Sequence, residues 1–145
     1  MNPLSEGAED FNFWLHRLSH DWHKALDRRL RPLGLSRATW MLLALVRRLG
    51  APNQTELAEG LGVAGPSIVR LVDFLEREQL VERHAATDRR VRTVRLTPKG
   101  EQLSEQMWRV AAHLRKEVMH DIPLDDIEQA RRLMARLHLR LKNLA

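Results

Sequence analysis

Along most of the chain apolar side chains recur at steps of three and four, but between Leu80 and Leu96 that period gives way to short β runs. Leu80 and Val81, then Val91, Val94 and Leu96, read as two strands with Ala85-Ala86-Thr87-Asp88 turning between them. A chain patterned in this way is mainly α-helical and carries one small β-hairpin.

The helical part divides at strong stop signals. Phe11, Trp14, Leu15, Leu18, Trp22, Leu26 and Leu30 form one stripe on a long helix that Pro32 and Gly34 end. Ser36 caps a second helix through Leu49, and Gly50 and Pro52 stop it. Asn53 with Glu56 is a capping-box variant that opens a short helix with Leu57, Ala58 and Leu61 apolar. After Gly62 a fourth helix runs from about Gly65 to Glu78 and turns Ile68, Leu71, Val72 and Leu75 inward. Thr97-Pro98 starts a fifth helix, which runs to about His120. Pro123 precedes a sixth, with Asp125 and Asp126 in its first turn and Arg140 and Lys142 in its last. The expected order is α-α-α-α-β-β-α-α.

A short capped helix, a glycine turn and a second helix with polar residues at its start make the pattern of a helix-turn-helix. The second helix of such a motif enters the major groove of DNA by its N-terminal end. Here that end offers Gly65, Pro66, Ser67 and Arg70. Ser67 can exchange hydrogen bonds with a base edge, and Arg70 can grip guanine with two. Gly65, with no side chain, permits close approach of the backbone to phosphate. Without the hairpin, the same pattern also fits a helical hairpin in an all-α core with Arg70 merely solvated.

The hairpin shifts the balance. From Arg83 to Lys99 the cations are Arg83, Arg89, Arg90, Arg92, Arg95 and Lys99, against the single acid Asp88. A hairpin this short cannot bury six cations, so they are solvated or they meet an anion. Beside a helix-turn-helix it is a wing, able to place an arginine in a narrow minor groove. Asp88 at its tip is expected to hold a neighbouring guanidinium and order the loop. The net charge of +5 agrees with an anionic partner.

Other classes find little support. The chain has no cysteine, which removes disulfides, thiol catalysis and Cys-based metal sites. Hydrophobic residues at 43% and charged ones at 30% describe an ordinary globular protein. The longest apolar run, Trp40 to Val46, is far too short to cross a membrane. The N-terminus has no signal-peptide pattern, so the expected location is the cytoplasm. Neither a nucleotide-binding loop nor a nucleophile motif suggests an enzyme, and no cofactor is expected.

The stretch LAEGLGVAGPSIVRLVDFLEREQLVERHAATDRRVRTVRLTPKG resembles the signature region of the MarR family of bacterial transcription regulators. The flanks RLRPLGLSRATW and HDIPLDDIEQARRLM are similar to its SlyA-like branch. The resemblance implies a winged helix-turn-helix homodimer whose first, fifth and sixth helices interlock. Residues 1–35 and 98–145 would then be the helical dimerisation region and 36–97 the DNA-binding region, in one intertwined domain. By position, Ser67 and Arg70 match base-contacting residues, Asp88 and Arg90 match the wing's Asp-x-Arg pair, and Arg90 is the minor-groove residue. Arg89 and Arg92 extend this set of DNA contacts. Two departures concern stability. Ala64 precedes the recognition helix where the family commonly has a capping residue, a loss of about 1 kcal/mol, and Pro123 stands where a serine cap is common.

Apart from the resemblance, the apolar terminal helices argue for association, and a two-fold dimer suits a palindromic operator. The branch also implies a pocket for an aromatic carboxylate such as salicylate. Trp40 would stack on its ring, Trp22 would form a further wall, and Arg17, His20 and His23 would face its charge. Histidines where arginines are common would make such binding pH-dependent. His16, His20 and His23 share a helix face at metal-ligand spacing, but no partner cluster is evident and no metal site is assigned. The expectation is a sequence-specific regulator, repressor or counter-silencer, of pseudo-palindromic operators. The alternative is a ligand-sensing or protein-interaction module with little sequence-specific DNA binding.

Overall fold

A computed structural model describes residues 4–88 and 90–144. Its helices are α1 (Leu4–Leu30), α2 (Arg37–Leu49), α3 (Gln54–Leu61), α4 (Gly65–Arg77), α5 (Pro98–Met119) and α6 (Leu124–Leu144). The strands β1 (Val81–Ala85) and β2 (Arg92–Leu96) lie between α4 and α5, and a 3-10 turn at Arg31–Leu33 follows α1. This is the winged helix-turn-helix order read from the sequence. The hairpin is antiparallel, with Val81 opposite Leu96 and Ala85 opposite Arg92. Ala85 therefore belongs to the strand and not to the turn.

Local chemistry fixes the boundaries. The Ser36 hydroxyl accepts from the Thr39 amide at 3.3 Å, capping α2. At α3 the Glu56 amide donates to Asn53 Oδ1 and the Asn53 amide donates to Glu56 Oε2, both at 2.8 Å, closing the capping box. Gly62 ends α3 with φ +65°, where a side chain would be strained. A further pairing has no signal in the sequence: Asn53 bridges to Thr93, and the Val94 amide donates to the Pro52 carbonyl at 2.8 Å. The residues before α3 thus form a stub of pairing beside β2, satisfying a backbone donor that two strands alone would leave open.

The chain divides into two compact units, residues 1–112 and 113–145. The first is built on Leu42, Leu43 and Val46 of α2, Leu57 of α3, Ile68, Val72 and Leu75 of α4, and Val81 and Val94 of the hairpin, all at most 1% exposed. Each such side chain contributes about 2 kcal/mol by leaving water. Leu26 and Leu30 at the end of α1 are buried as well. In contrast, Phe11, Phe13, Trp14, Leu15 and Leu18 in its first half are 41–64% exposed. In the second unit, Arg131 and Arg132 both donate to Glu128 of α6. Arg131 first and Arg132 second lower that carboxyl from its ordinary value to about 2.

Candidate nucleic-acid interface

Helix α4 has one buried face, with Ile68, Val72 and Leu75, and one open face. Gly65, Pro66, Ser67 and Arg70 all lie on the open side, at the N-terminal end. Ala64 supplies no side-chain cap, and Pro66 stands in the first turn. The helix N-terminus therefore presents its partial positive charge without a protein side chain capping it. Ser67 and Arg70 also border a cleft of about 650 Å³, whose apolar wall includes Met41, Leu61, Val63 and Phe74. No sequence pattern marks this cleft, because its walls come from three helices.

The hairpin divides its cations by register. Alternate residues of a strand face opposite sides, and Arg83 lies opposite the buried Val94. Arg83 therefore points toward the protein. Its guanidinium reaches Asp73 Oδ1 at 2.6 Å and Glu76 Oε1 at 3.4 Å, both on α4, and its backbone amide donates to Glu76 Oε2. Lys99 is likewise engaged, donating from Nζ to the Glu78 carbonyl at 2.9 Å. Arg83 thus meets anions within the protein itself, one of the two fates expected of these cations, while Lys99 stays exposed. Arg90, Arg92 and Arg95 are exposed. Arg89 lies outside the described residues.

At the tip the Arg90 amide donates to Asp88 Oδ1 at 3.1 Å, and the Val91 amide donates to the Asp88 carbonyl. Asp88 thus orders the loop through the backbone, in an Asx-type turn. The expected contact is with a neighbouring guanidinium; that of Arg89 lies outside the described residues, and for Arg90 the contact is made by the amide. The Arg90 residue itself is exposed.

Beyond the C-terminal end of α4, the chain joins α5 through main-chain carbonyls. Gln79 has φ +60°. Thr97 donates its hydroxyl to the Gln79 carbonyl and its amide to the Leu80 carbonyl, and accepts from the Gly100 amide. Gly100 lies so close that a Cβ there would collide with the Leu80 carbonyl oxygen.

The residues considered for a carboxylate pocket are only partly brought together. Trp40 is 7% exposed, and its indole N–H donates to Asp27 Oδ1 at 2.8 Å. His23 meets the Trp40 ring edge-on, 5.6 Å between centroids. Arg37 donates from Nε to Asp27 Oδ2 at 2.9 Å. Arg37 chiefly holds the Asp27 carboxyl below its ordinary range, against the opposing effect of burial and with help from Trp40. Sequence reasoning missed Asp27, since a carboxylate ten residues from its partner carries no local signal. Trp22 is half-buried, and Arg17 and His20 are exposed. Among the described residues no three or more metal-ligating side chains gather, and no helix is long and apolar enough to cross a membrane.

The MarR family model matches residues 33–91. A solved structure described as transcriptional regulator PA3341 is 39% identical over 92% of this chain and 98% of its own, with a TM-score of 0.83. CouR from Rhodococcus jostii RHA1, solved bound to p-coumaroyl-CoA, is 27% identical over 94% of this chain and 95% of its own, with a TM-score of 0.80. A mutant MarR from E. coli, complexed with operator DNA, is 22% identical over 94% of this chain and 99% of its own, with a TM-score of 0.74, a likeness of fold.

Proposed function

The chain belongs to the MarR family of transcriptional regulators, and from that premise we propose that it is a sequence-specific DNA-binding regulator acting as a homodimer on pseudo-palindromic operators. One observation carries the reading: the exposed, uncapped start of α4, with Ser67 and Arg70, belongs to the same compact unit as a wing whose Arg90 and Arg92 are open to solvent. Ser67 and Arg70 read base edges, Arg90 enters the minor groove, and Arg92 and Arg95 hold phosphates. Arg89 is assigned to the wing by its place in the sequence. The second copy covers the apolar first half of α1, where Phe11, Trp14, Leu15 and Leu18 are exposed. The regulator acts in the cytoplasm as a repressor or counter-silencer and carries out no catalysis.

Support for DNA binding comes also from the E. coli MarR mutant of this fold complexed with operator DNA. The deciding experiment selects bound sequences from random duplexes at physiological salt. Enrichment of a two-fold symmetric site supports the reading, and binding that stays indifferent to sequence sinks it.

A ligand-responsive layer is part of the proposal, because CouR, 27% identical, is solved with an aromatic acyl thioester bound. In this chain the effector is an aromatic carboxylate such as salicylate, in keeping with a SlyA-like branch. Trp40 and Trp22 are its aromatic walls, and Arg17, His20 and His23 are its anion-facing groups. If selection finds no operator but tryptophan fluorescence responds to the effector, the sensing module is the better description.

A further inference from the structure

Helix α5 is tied to the reading elements at two polar points within residues 1–112. The first is its start, where Thr97, Lys99 and Gly100 close on the carbonyls of residues 78–80. The second is Arg47, in the last turn of α2. Its Nη1 donates to Ser104 Oγ at 3.3 Å, its Nη2 donates to Glu105 Oε2 at 3.0 Å, and its guanidinium carbon lies 6.0 Å from the centre of the Trp108 ring. Ser104 is fully buried, so its hydroxyl needs such a partner.

One fixed point is a pivot, about which a helix can swing. A second point a turn further along removes that freedom. Residues 104, 105 and 108 are spaced to lie on adjoining parts of one face, and the three contacts differ in kind: hydroxyl, carboxylate and aromatic ring. Arginine alone among the cations has both the planar fork for two acceptors and the flat face for a ring.

We infer that Arg47 is a positioning residue that fixes the angle at which α4 and the wing are carried on α5. In a dimer this angle sets the separation of the two reading heads, and so the spacing of the half-sites they accept. The inference rests on the dimeric regulator proposed above. Half-sites on B-DNA must fall on one face, about 10 base pairs apart, so a few degrees of play changes which spacings are bound.

The test uses the full-length protein and the operator recovered from random sequence, with half-sites moved one or two base pairs closer or farther. Binding is measured by fluorescence anisotropy, with Tm and the affinity for a single half-site alongside. Wild type should prefer one spacing by about tenfold. Arg47→Lys keeps the charge but loses the fork and the stacking face, and should flatten that preference to about threefold or less while leaving single half-site affinity unchanged. Glu105→Gln alters an exposed partner and makes the protein more positive, so a flattened preference there is no loss of general electrostatic attraction. A role confined to stability would lower Tm and leave the ratio between spacings as in wild type, which would overturn the inference. A wild type that finds no operator fails the regulator reading. One that binds an operator yet accepts every spacing equally overturns only the role of Arg47.

Discussion

Arg83 and Asp73 meet at 2.6 Å, joining the first strand of the wing to the exposed side of α4. Arg83 is 14% exposed, whereas its two acidic partners are about half exposed. The pair holds the wing against α4, the helix proposed to read bases. Arg83→Met should cost about 1 kcal/mol in chemical denaturation. It should leave the salt dependence of DNA binding almost as it is. Arg92→Ala should do the reverse, with little change in stability and a salt slope lower by about one phosphate contact. Equal loss of slope in both variants would mean that Arg83 reaches DNA.

Asp88 orders the wing tip by accepting from the Arg90 amide. Asparagine retains an acceptor in the same place, so Asp88→Asn should bind DNA nearly as wild type does. Asp88→Ala loses the turn and should bind several-fold more weakly. Arg90→Ala should weaken operator binding about tenfold or more, with the loss largest on sites flanked by A·T tracts. Full affinity in the Arg90 variant would refute its minor-groove role.

Two glycines should respond differently to alanine. At Gly100 the new methyl would meet a backbone carbonyl, which cannot move aside. Gly100→Ala should lose about 3 kcal/mol or more and about 10 °C in Tm. At Gly60 the new methyl would meet only the end of the Leu45 side chain, 2.5 Å away, and a rotamer change relieves the contact. Gly60→Ala also gains helix propensity, and its melting temperature should stay within a few degrees of wild type.

Asp27 links α1 to α2 through Arg37 and Trp40, and its carboxyl is held below the ordinary aspartate range. A depressed native pKa stabilises the fold above the unfolded value, near 3.9. That contribution is lost as pH falls through the native value. Asp27→Asn should therefore be less stable than wild type at neutral pH. The gap should shrink as pH drops below about 4. A gap that persists unchanged into strong acid would assign the effect to packing.

Trp40 has its indole N–H on Asp27 and its ring edge-on to His23. An aromatic carboxylate bound against it should alter tryptophan fluorescence, and Trp40→Leu should remove that response. A flat titration of wild type with salicylate argues against the effector site.

The caps of α2 and α3 were legible because Ser36, Asn53 and Glu56 act within a few residues of themselves. The change of period near Leu80 likewise marked the hairpin. The destination of Arg83 was not legible. It depends on strand register, and moving the pairing by one residue would turn the same side chain to the other face. The Asp27–Arg37–Trp40 group joins two helices across a turn, and the cleft beside Ser67 and Arg70 is walled by three. Such features arise from packing, for which the linear pattern carries no signal. Asp88 was recognised as an organiser, but composition could not say whether it would hold a side chain or an amide.

The seam between α4 and α5 is made mostly of main-chain oxygens, those of residues 78, 79 and 80, met by Thr97, Lys99 and Gly100. Atoms common to every residue type make a connection indifferent to most substitutions around it. If α4 reads DNA as proposed, its outward face can therefore be rewritten for a new sequence without retooling the mount on which it sits. Evolution, or an engineer, can exchange the reading head's letters while Thr97 and Gly100 keep the frame.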